Sequence, residues 1–178
     1  PLMSVSTTVP TKPSIAASMA SDRDLRLTVL GAGAWGSALA KLAKLNGHSV
    51  EVWSRRNQVV LAEAVAHADV ILSAISMKGV ADIAQQLQQL SIPAHTILVT
   101  ATKGLDPTTT QTPSQIFAAT FPTHPVAVLS GPNLSQEIDR GLPAATVLAC
   151  ADRTAAETVQ RVFSSELFRV YTSPDPMG

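Results

Sequence analysis

The run Leu25-Arg26-Leu27-Thr28-Val29-Leu30-Gly31-Ala32-Gly33-Ala34-Trp35-Gly36-Ser37 decides how the chain is built. Leu25, Leu27, Val29 and Leu30 form a short apolar run of strand length. Leu39, Leu42 and Ala43 then recur at helical spacing until Gly47 offers a C-terminal stop. The three glycines fall on the junction between the two. In a strand–turn–helix unit of this kind Gly31 makes the tight turn and Gly33 lets the backbone approach a pyrophosphate. Gly36 lets the helix pack closely on the strand, with its N-terminus aimed at the anion. G-x-G-x-x-G by itself marks many ordinary turns; here it closes a strand and opens a helix, the context that dinucleotide binding requires.

Around this unit the chain is long enough, at 178 residues, for one sizeable core. Hydrophobic residues make up 46% and charged residues 15%, a globular composition rather than a disordered or fibrous one. Lys plus Arg and Asp plus Glu are both 13, and no run of like charge stands out, which argues against a nucleic-acid or membrane-surface partner. No apolar stretch approaches transmembrane length. The single cysteine, Cys150, sits in an apolar context and reads as a small buried hydrophobe in a reducing compartment, pointing to a cytoplasmic protein. Residues 1–24, acid-free until Ser21 and rich in Ser, Thr, Pro and Ala, read as a flexible tail, with Pro1-Leu2 ahead of Met3 resembling a cloning remnant.

Residues 25–178 then alternate strand and helix. Ser49 to Trp53 reads as a second strand, and 57–68 as a helical connector with Val60, Leu61, Ala64 and Val65 on its apolar stripe. Asp69 to Ile75 is a continuous apolar strand of the kind covered on both faces, followed by a helix over 78–90 and a strand over Thr96 to Ala101. Thr112, Pro113 and Gln115 start a further helix with a capping box. A strand from Val126 runs into Ser130-Gly131-Pro132-Asn133, where Asn133 can cap a short helix closing at Gly141. Strands at 144–149 and 168–172 flank a last helix, 154–164. The pattern predicts an α/β, Rossmann-like doubly wound sheet, mostly parallel, with helices on both faces.

In such sheets ligands sit beyond the carboxyl ends of the strands. The second strand ends in Ser54-Arg55-Arg56, where a NAD-specific fold carries Asp or Glu for the ribose 2′-hydroxyl. Two guanidiniums suit a 2′-phosphate, which favours NADP over NAD. Glu51 lies at a comparable distance from Gly31 but inside the strand, and an arginine pair is also common on a solvated turn. Lys103, at the end of Thr100-Ala101-Thr102-Lys103-Gly104, can meet a phosphate or a polarised carbonyl as a point charge, with Gly131 offering close backbone approach; it can also be a surface lysine opening a loop. His48, His67, His95 and His124 stand in no nucleophile or metal motif and read as loop or surface residues, so no metal is expected.

At these residues the chain resembles the NAD(P)-dependent glycerol-3-phosphate dehydrogenase family. The resemblance rests on Val29 to Ala38, on Ala101-Thr102-Lys103-Gly104-Leu105, and on Leu129-Ser130-Gly131-Pro132-Asn133 through Glu137, extended by Arg140 to Ala145 and Phe168 to Tyr171. It implies reduction of dihydroxyacetone phosphate to sn-glycerol 3-phosphate for phospholipid synthesis, with NADP(H) preferred and NAD(H) accepted. Carried over by position, Gly31, Gly33, Ala34, Trp35, Gly36, Arg55, Arg56, Lys103 and Ser135 would contact the cofactor, and Lys103 and Gly131 the substrate. Three departures matter. Many members have Ser at Ala34; a segment between Arg56 and Glu63 is shortened; and the lysine general base, in a Gly-Gly-x-x-Lys-Asn motif of a helical substrate domain, would lie beyond Gly178. No catalytic residue is therefore expected within the chain, which reads as the cofactor-binding half alone. A non-catalytic NADP-binding or redox-sensing module, and the Rossmann half of another hydroxyacid or sugar-phosphate dehydrogenase, are the alternatives. An exposed domain-docking face would make such a half prone to homo-oligomerisation.

Overall fold

The computed structural model describes residues 24–176; the tail expected over 1–24 lies, Asp24 apart, outside the described residues. The elements are β1 (Arg26–Leu30), α1 (Ala34–Leu45), β2 (Ser49–Trp53), α2 (Leu61–Val65), β3 (Val70–Ser73), α3 (Val80–Gln88), β4 (Ile97–Thr100), α4 (Pro113–Thr120), β5 (Val126–Ser130), α5 (Ser135–Asp139), β6 (Ala144–Ala149), α6 (Arg153–Phe163) and β7 (Phe168–Ser173). The strands form one sheet in the order β2-β1-β3-β4-β5-β6-β7. β1 to β5 pair in parallel, β6 runs antiparallel to β5, and β7 is parallel to β6.

Two apolar layers sandwich the sheet. On one face α1, α5 and α6 pack Leu39, Ile138, Val159 and Phe163 against Leu27, Val29, Leu72 and Val99. On the other, α2, α3 and α4 pack Val65, Ile83, Leu87 and Phe117 against Leu30, Ile71 and Leu98. β3 and β4 are buried along their whole length, which explains their unbroken apolar sequence. β6 and β7 instead alternate. Thr146, Leu148, Phe168 and Val170 face the core, while Ala145, Val147, Arg169 and Tyr171 face outward with no helix over them among the described residues.

Helix ends follow the sequence closely where a cap residue is present. Gly47 (φ +86°) and Gly141 (φ +67°) close α1 and α5 in the same way, each followed by an N–H that reaches back to a carbonyl in the last turn: His48 to Ala43 and Leu142 to Glu137. Thr112 and Gln115 form the expected capping box on α4. Asp152 caps α6 through the Ala155 N–H, so the helix begins at Arg153, one residue before the expected start.

Three local expectations are corrected. The connector over 57–68 is helical only from Leu61 to Val65, because Asn57 closes a turn instead: its Oδ1 accepts the Ser54 N–H and its Nδ2 donates to the Val52 carbonyl. Asn133 does not cap α5; the cap is Leu134, whose N–H donates to the Glu137 carboxylate. The helix expected from residue 78 opens with a 3₁₀ turn over Met77–Gly79 before α3 begins.

Candidate functional site

The strand order reverses at β1, which has β2 on one side and β3 on the other, so a crevice opens at the carboxyl ends of β1 and β3. The glycine turn lies in that crevice. Gly31 has φ +117°, and a Cβ there would stand 2.5 Å from the Ala74 carbonyl oxygen; a Cβ on Gly36 would stand 2.2 Å from the Gly31 carbonyl oxygen. These two positions are glycine because the backbone just past β3 and the turn's own Gly31 carbonyl leave no room. Gly33 differs: its φ is −75°, and nothing lies within 4 Å of where a Cβ would project. It faces open space, as a residue must if a ligand is to come close.

Gly33 is also the N-cap of α1. No side chain caps the helix, no acid lies in its first turn, and the first helical amide with a backbone partner is Ser37, bonded to the Gly33 carbonyl. The amides of Ala34, Trp35 and Gly36 therefore form the positive end of a twelve-residue helix, a ready site for an anion.

A cavity of about 420 Å³ extends from this turn. Gly31, Ala32 and Gly33 form one wall, Trp53 to Arg56 the second, and Ala74 to Ser76 with Gly79, Asp82, Ile83 and Gln86 the third. Arg55 and Arg56 are exposed, and neither guanidinium is held in an ion pair among the described residues. Glu51 points elsewhere: it lines a different groove beside α2, so no carboxylate stands at the end of β2. Trp35 is half-buried against the core under α1 and does not line the cavity, whereas Ala34 stays exposed at the helix start.

Lys103 and Gly131 come together directly: the Lys103 Nζ donates to the Gly131 carbonyl at 3.1 Å. The loops carrying them are tied to the sheet by two threonines that sequence reasoning missed. Thr102 Oγ1 donates to the Ile75 carbonyl at 2.9 Å, joining the ends of β4 and β3, and Thr146 Oγ1 donates to the Ser130 carbonyl at 2.9 Å, joining β6 to β5. Thr102 lies just past the end of β4 and Thr146 is a buried hydroxyl inside β6, and nothing in the local sequence names the carbonyl either one meets. Lys103 lines a separate cavity of about 250 Å³ with Thr100, Thr112 and Ser130, not the one that holds Arg55. Ser135, at the start of α5, lines neither. Asn133 packs over Gly131, where a Cβ would stand 2.7 Å from its Nδ2, and that amide nitrogen is buried without a partner.

The histidines sit at the opposite, amino ends of the strands or in loops. His48 Nδ1 accepts the Leu25 N–H and His95 pairs with Asp69 at 3.1 Å. Cys150 is buried at 2% exposure, and loss of solvent pushes its thiol above the ordinary range. In the loop beyond Gly104, the Asp106 carboxylate is held below its ordinary range by the N–H groups of Thr109 and Thr108. Among the described residues no group of three or more His, Cys, Asp or Glu could hold a metal ion, and no helix is long and apolar enough to cross a membrane.

The family described as NAD-dependent glycerol-3-phosphate dehydrogenase N-terminus matches residues 26–62 and 58–156. The chain belongs to this family. The two matched stretches overlap over residues 58–62, from the link after β2 into the first turn of α2, inside the interval in which the sequence places a shortened segment; β2 is an edge strand. Glycerol-3-phosphate dehydrogenase [NAD(P)+] of Acaryochloris marina is 60% identical over 152 residues, which are 85% of this chain and 49% of that protein. The enzyme of the same name from Trichormus variabilis is 60% identical over 156 residues, covering 88% of this chain and 51% of that one. The chain thus spans about half the length of the curated relatives it matches. The crystal structure of glycerol-3-phosphate dehydrogenase from Coxiella burnetii superposes with a TM-score of 0.79 at 24% identity, over 85% of this chain and 55% of that one, a likeness of fold.

Proposed function

We propose that the chain is the cofactor-binding half of a glycerol-3-phosphate dehydrogenase, holding NADP(H) in preference to NAD(H). Gly33 carries this reading: it faces open space at the uncapped end of α1, and the cavity beside it ends at two guanidiniums held in no ion pair among the described residues. The amides of Ala34 to Gly36 would hold the pyrophosphate with Gly31 and Gly36 shaping the turn, and Arg55 and Arg56 would hold the 2′-phosphate. Trp35 would act through the turn, by fixing α1 on the core. When bound, the reduced nicotinamide supplies the hydride for dihydroxyacetone phosphate, giving sn-glycerol 3-phosphate for phospholipid synthesis in the cytoplasm. Lys103, whose Nζ now rests on the Gly131 carbonyl, would turn to the substrate phosphate, leaving that Gly131 carbonyl to face the substrate beside it, and Ser135 would meet the cofactor from α5. The proton for the developing alkoxide would come from a lysine outside this chain.

Parallel titrations with NADPH and NADH test the reading. A charge-assisted pair on the 2′-phosphate is worth roughly 1.5 to 3 kcal/mol, so NADPH should bind about 10- to 100-fold more tightly. Failure of both nucleotides to bind would overturn it. Homo-oligomerisation belongs to the same proposal: the outward face of β6 and β7 carries Val147 at 42% and Tyr171 at 58% exposure, paired across the strands. Tyr171→Ser with Val147→Ser should convert a concentration-dependent sedimentation coefficient into a monomer's; a wild-type monomer at high concentration would count against it.

A further inference from the structure

The third wall of the cavity, contributed by α3, is unused by the phosphate-binding residues. Its floor is apolar: Ile83 is buried at 3% exposure, Ile75 also lines the cavity, and Gly79 adds no side chain. On the rim stand Asp82 and Gln86, one turn apart on α3 and so on the same face. Among the described residues Asp82 is the single carboxylate lining this cavity, and it is joined to Gln86 rather than to either arginine: Gln86 Nε2 donates to Asp82 Oδ2 at 2.9 Å. That bond orients both groups. It leaves Asp82 Oδ1 as a bare acceptor beside the second N–H of Gln86, a donor.

The pyrophosphate end is set by Gly33 and α1 and the ribose end by Arg55 and Arg56, which leaves the purine for the wall between them. We infer that Asp82 and Gln86 read the edge of that purine and select adenine, an inference that rests on the dinucleotide reading above. The apolar floor takes the ring's face. At position 6 adenine presents an amino donor, which Asp82 accepts, and the neighbouring ring nitrogen is an acceptor, which Gln86 meets. Hypoxanthine presents a carbonyl oxygen at position 6, which places an acceptor against the carboxylate. Asp82 also stands in the first turn of α3, where an acid stabilises any helix, but that role is indifferent to the base.

The test is binding of NADPH and of its hypoxanthine analogue, nicotinamide hypoxanthine dinucleotide phosphate, to the wild-type chain, Asp82→Asn and Gln86→Ala, with circular dichroism confirming that the variants fold. The wild type should prefer NADPH by about 10-fold or more. Asp82→Asn, whose amide can turn to accept from one base or donate to the other, should bring the two nucleotides within about twofold, and Gln86→Ala should reduce the preference by a smaller factor. An Arg55→Ala, Arg56→Ala double variant should bind both nucleotides more weakly yet keep the preference for adenine. Equal affinities in the wild type, or an undiminished preference in Asp82→Asn, overturn the inference and leave the dinucleotide reading standing. If neither nucleotide binds, both fall.

Discussion

The two ends of the sheet are built in opposite ways. Around β1 and β3 the candidate site is made of backbone. Two glycines stand where a Cβ would meet a carbonyl oxygen, a third faces open space, and β3 beside them is buried throughout. Around β5 to β7 it is made of side chains, with Lys103 resting on the Gly131 carbonyl, Thr146 tying Ser130, and an outward face carrying Val147 and Tyr171. A pocket cut from backbone is set when the sheet forms. One assembled from a lysine and loop carbonyls can be reset by whatever meets it, because an exposed lysine has many rotamers and only one hydrogen bond to break.

The largest effects should separate the glycines from one another. Gly31→Ala combines a positive φ with a methyl driven into the Ala74 carbonyl, and should destabilise the fold by about 3 kcal/mol or more. Gly33→Ala, at an ordinary φ with empty space ahead, should leave stability within about 0.5 kcal/mol of wild type. Nucleotide binding should nonetheless weaken at least about 10-fold in Gly33→Ala, because the methyl occupies the approach to α1. Thermal denaturation and nucleotide titration on the same two variants decide the matter. A Gly33→Ala protein that binds like wild type would show that no phosphate sits on this turn.

Next in size are the guanidiniums. Arg55→Ala with Arg56→Ala should lower NADPH affinity by about 10- to 100-fold while NADH affinity stays within about twofold. Equal losses for both nucleotides would mean that the pair supports the turn rather than reading the 2′-phosphate. The exposed positions of both residues predict little change in melting temperature.

These contrasts also mark what was legible in the sequence. All seven strands were, and so were the helix ends at Gly47, Thr112 and Gly141, because apolar periodicity and cap chemistry act locally. The glycine turn was legible for the same reason. The reversal of β6 was not, since a short run of alternating residues is compatible with either direction until its partner is known. Nor was the turn closed by Asn57, where an amide bonding the Ser54 N–H and the Val52 carbonyl outcompeted a plausible helical stripe. Lys103 could be picked out by position, but its contact with Gly131, 28 residues on, is set by the packing of β4 beside β5.

Thr102 offers a way to join the two ends experimentally. Its Oγ1 donates to the carbonyl of Ile75, and Ile75 lines the nucleotide cavity, while the next residue is Lys103. Thr102→Val keeps the shape and leaves that carbonyl without its partner, at a cost of about 1 kcal/mol in stability. If the backbone site is as rigid as its packing implies, nucleotide affinity should move by less than about threefold. A larger loss would mean that the end of β4 holds the cavity open, and the division between a fixed and an adaptable half would have to be redrawn.

The smallest effect concerns Cys150, whose amide bonds Ser173 on the β7 side. Burial raises the thiol above its ordinary value of 9.0; the Asp152 N–H acts the other way without cancelling it, and the Asp152 carboxylate adds the smallest contribution, opposing ionisation. The fold therefore favours the protonated thiol. That contribution is complete below the pKa of the unfolded chain and declines as pH rises through about 9 toward the folded value. Wild type and Cys150→Ala should show parallel stability from pH 6 to 8, and above pH 9 the wild type should lose stability relative to the variant, read from urea midpoints. A thiol reagent should label the folded chain far more slowly than the unfolded one at pH 8, since attack needs the thiolate and β6 keeps the sulfur buried. Fast labelling without unfolding would show that the β6–β7 end opens readily, and would extend the adaptable region from the loops into the sheet.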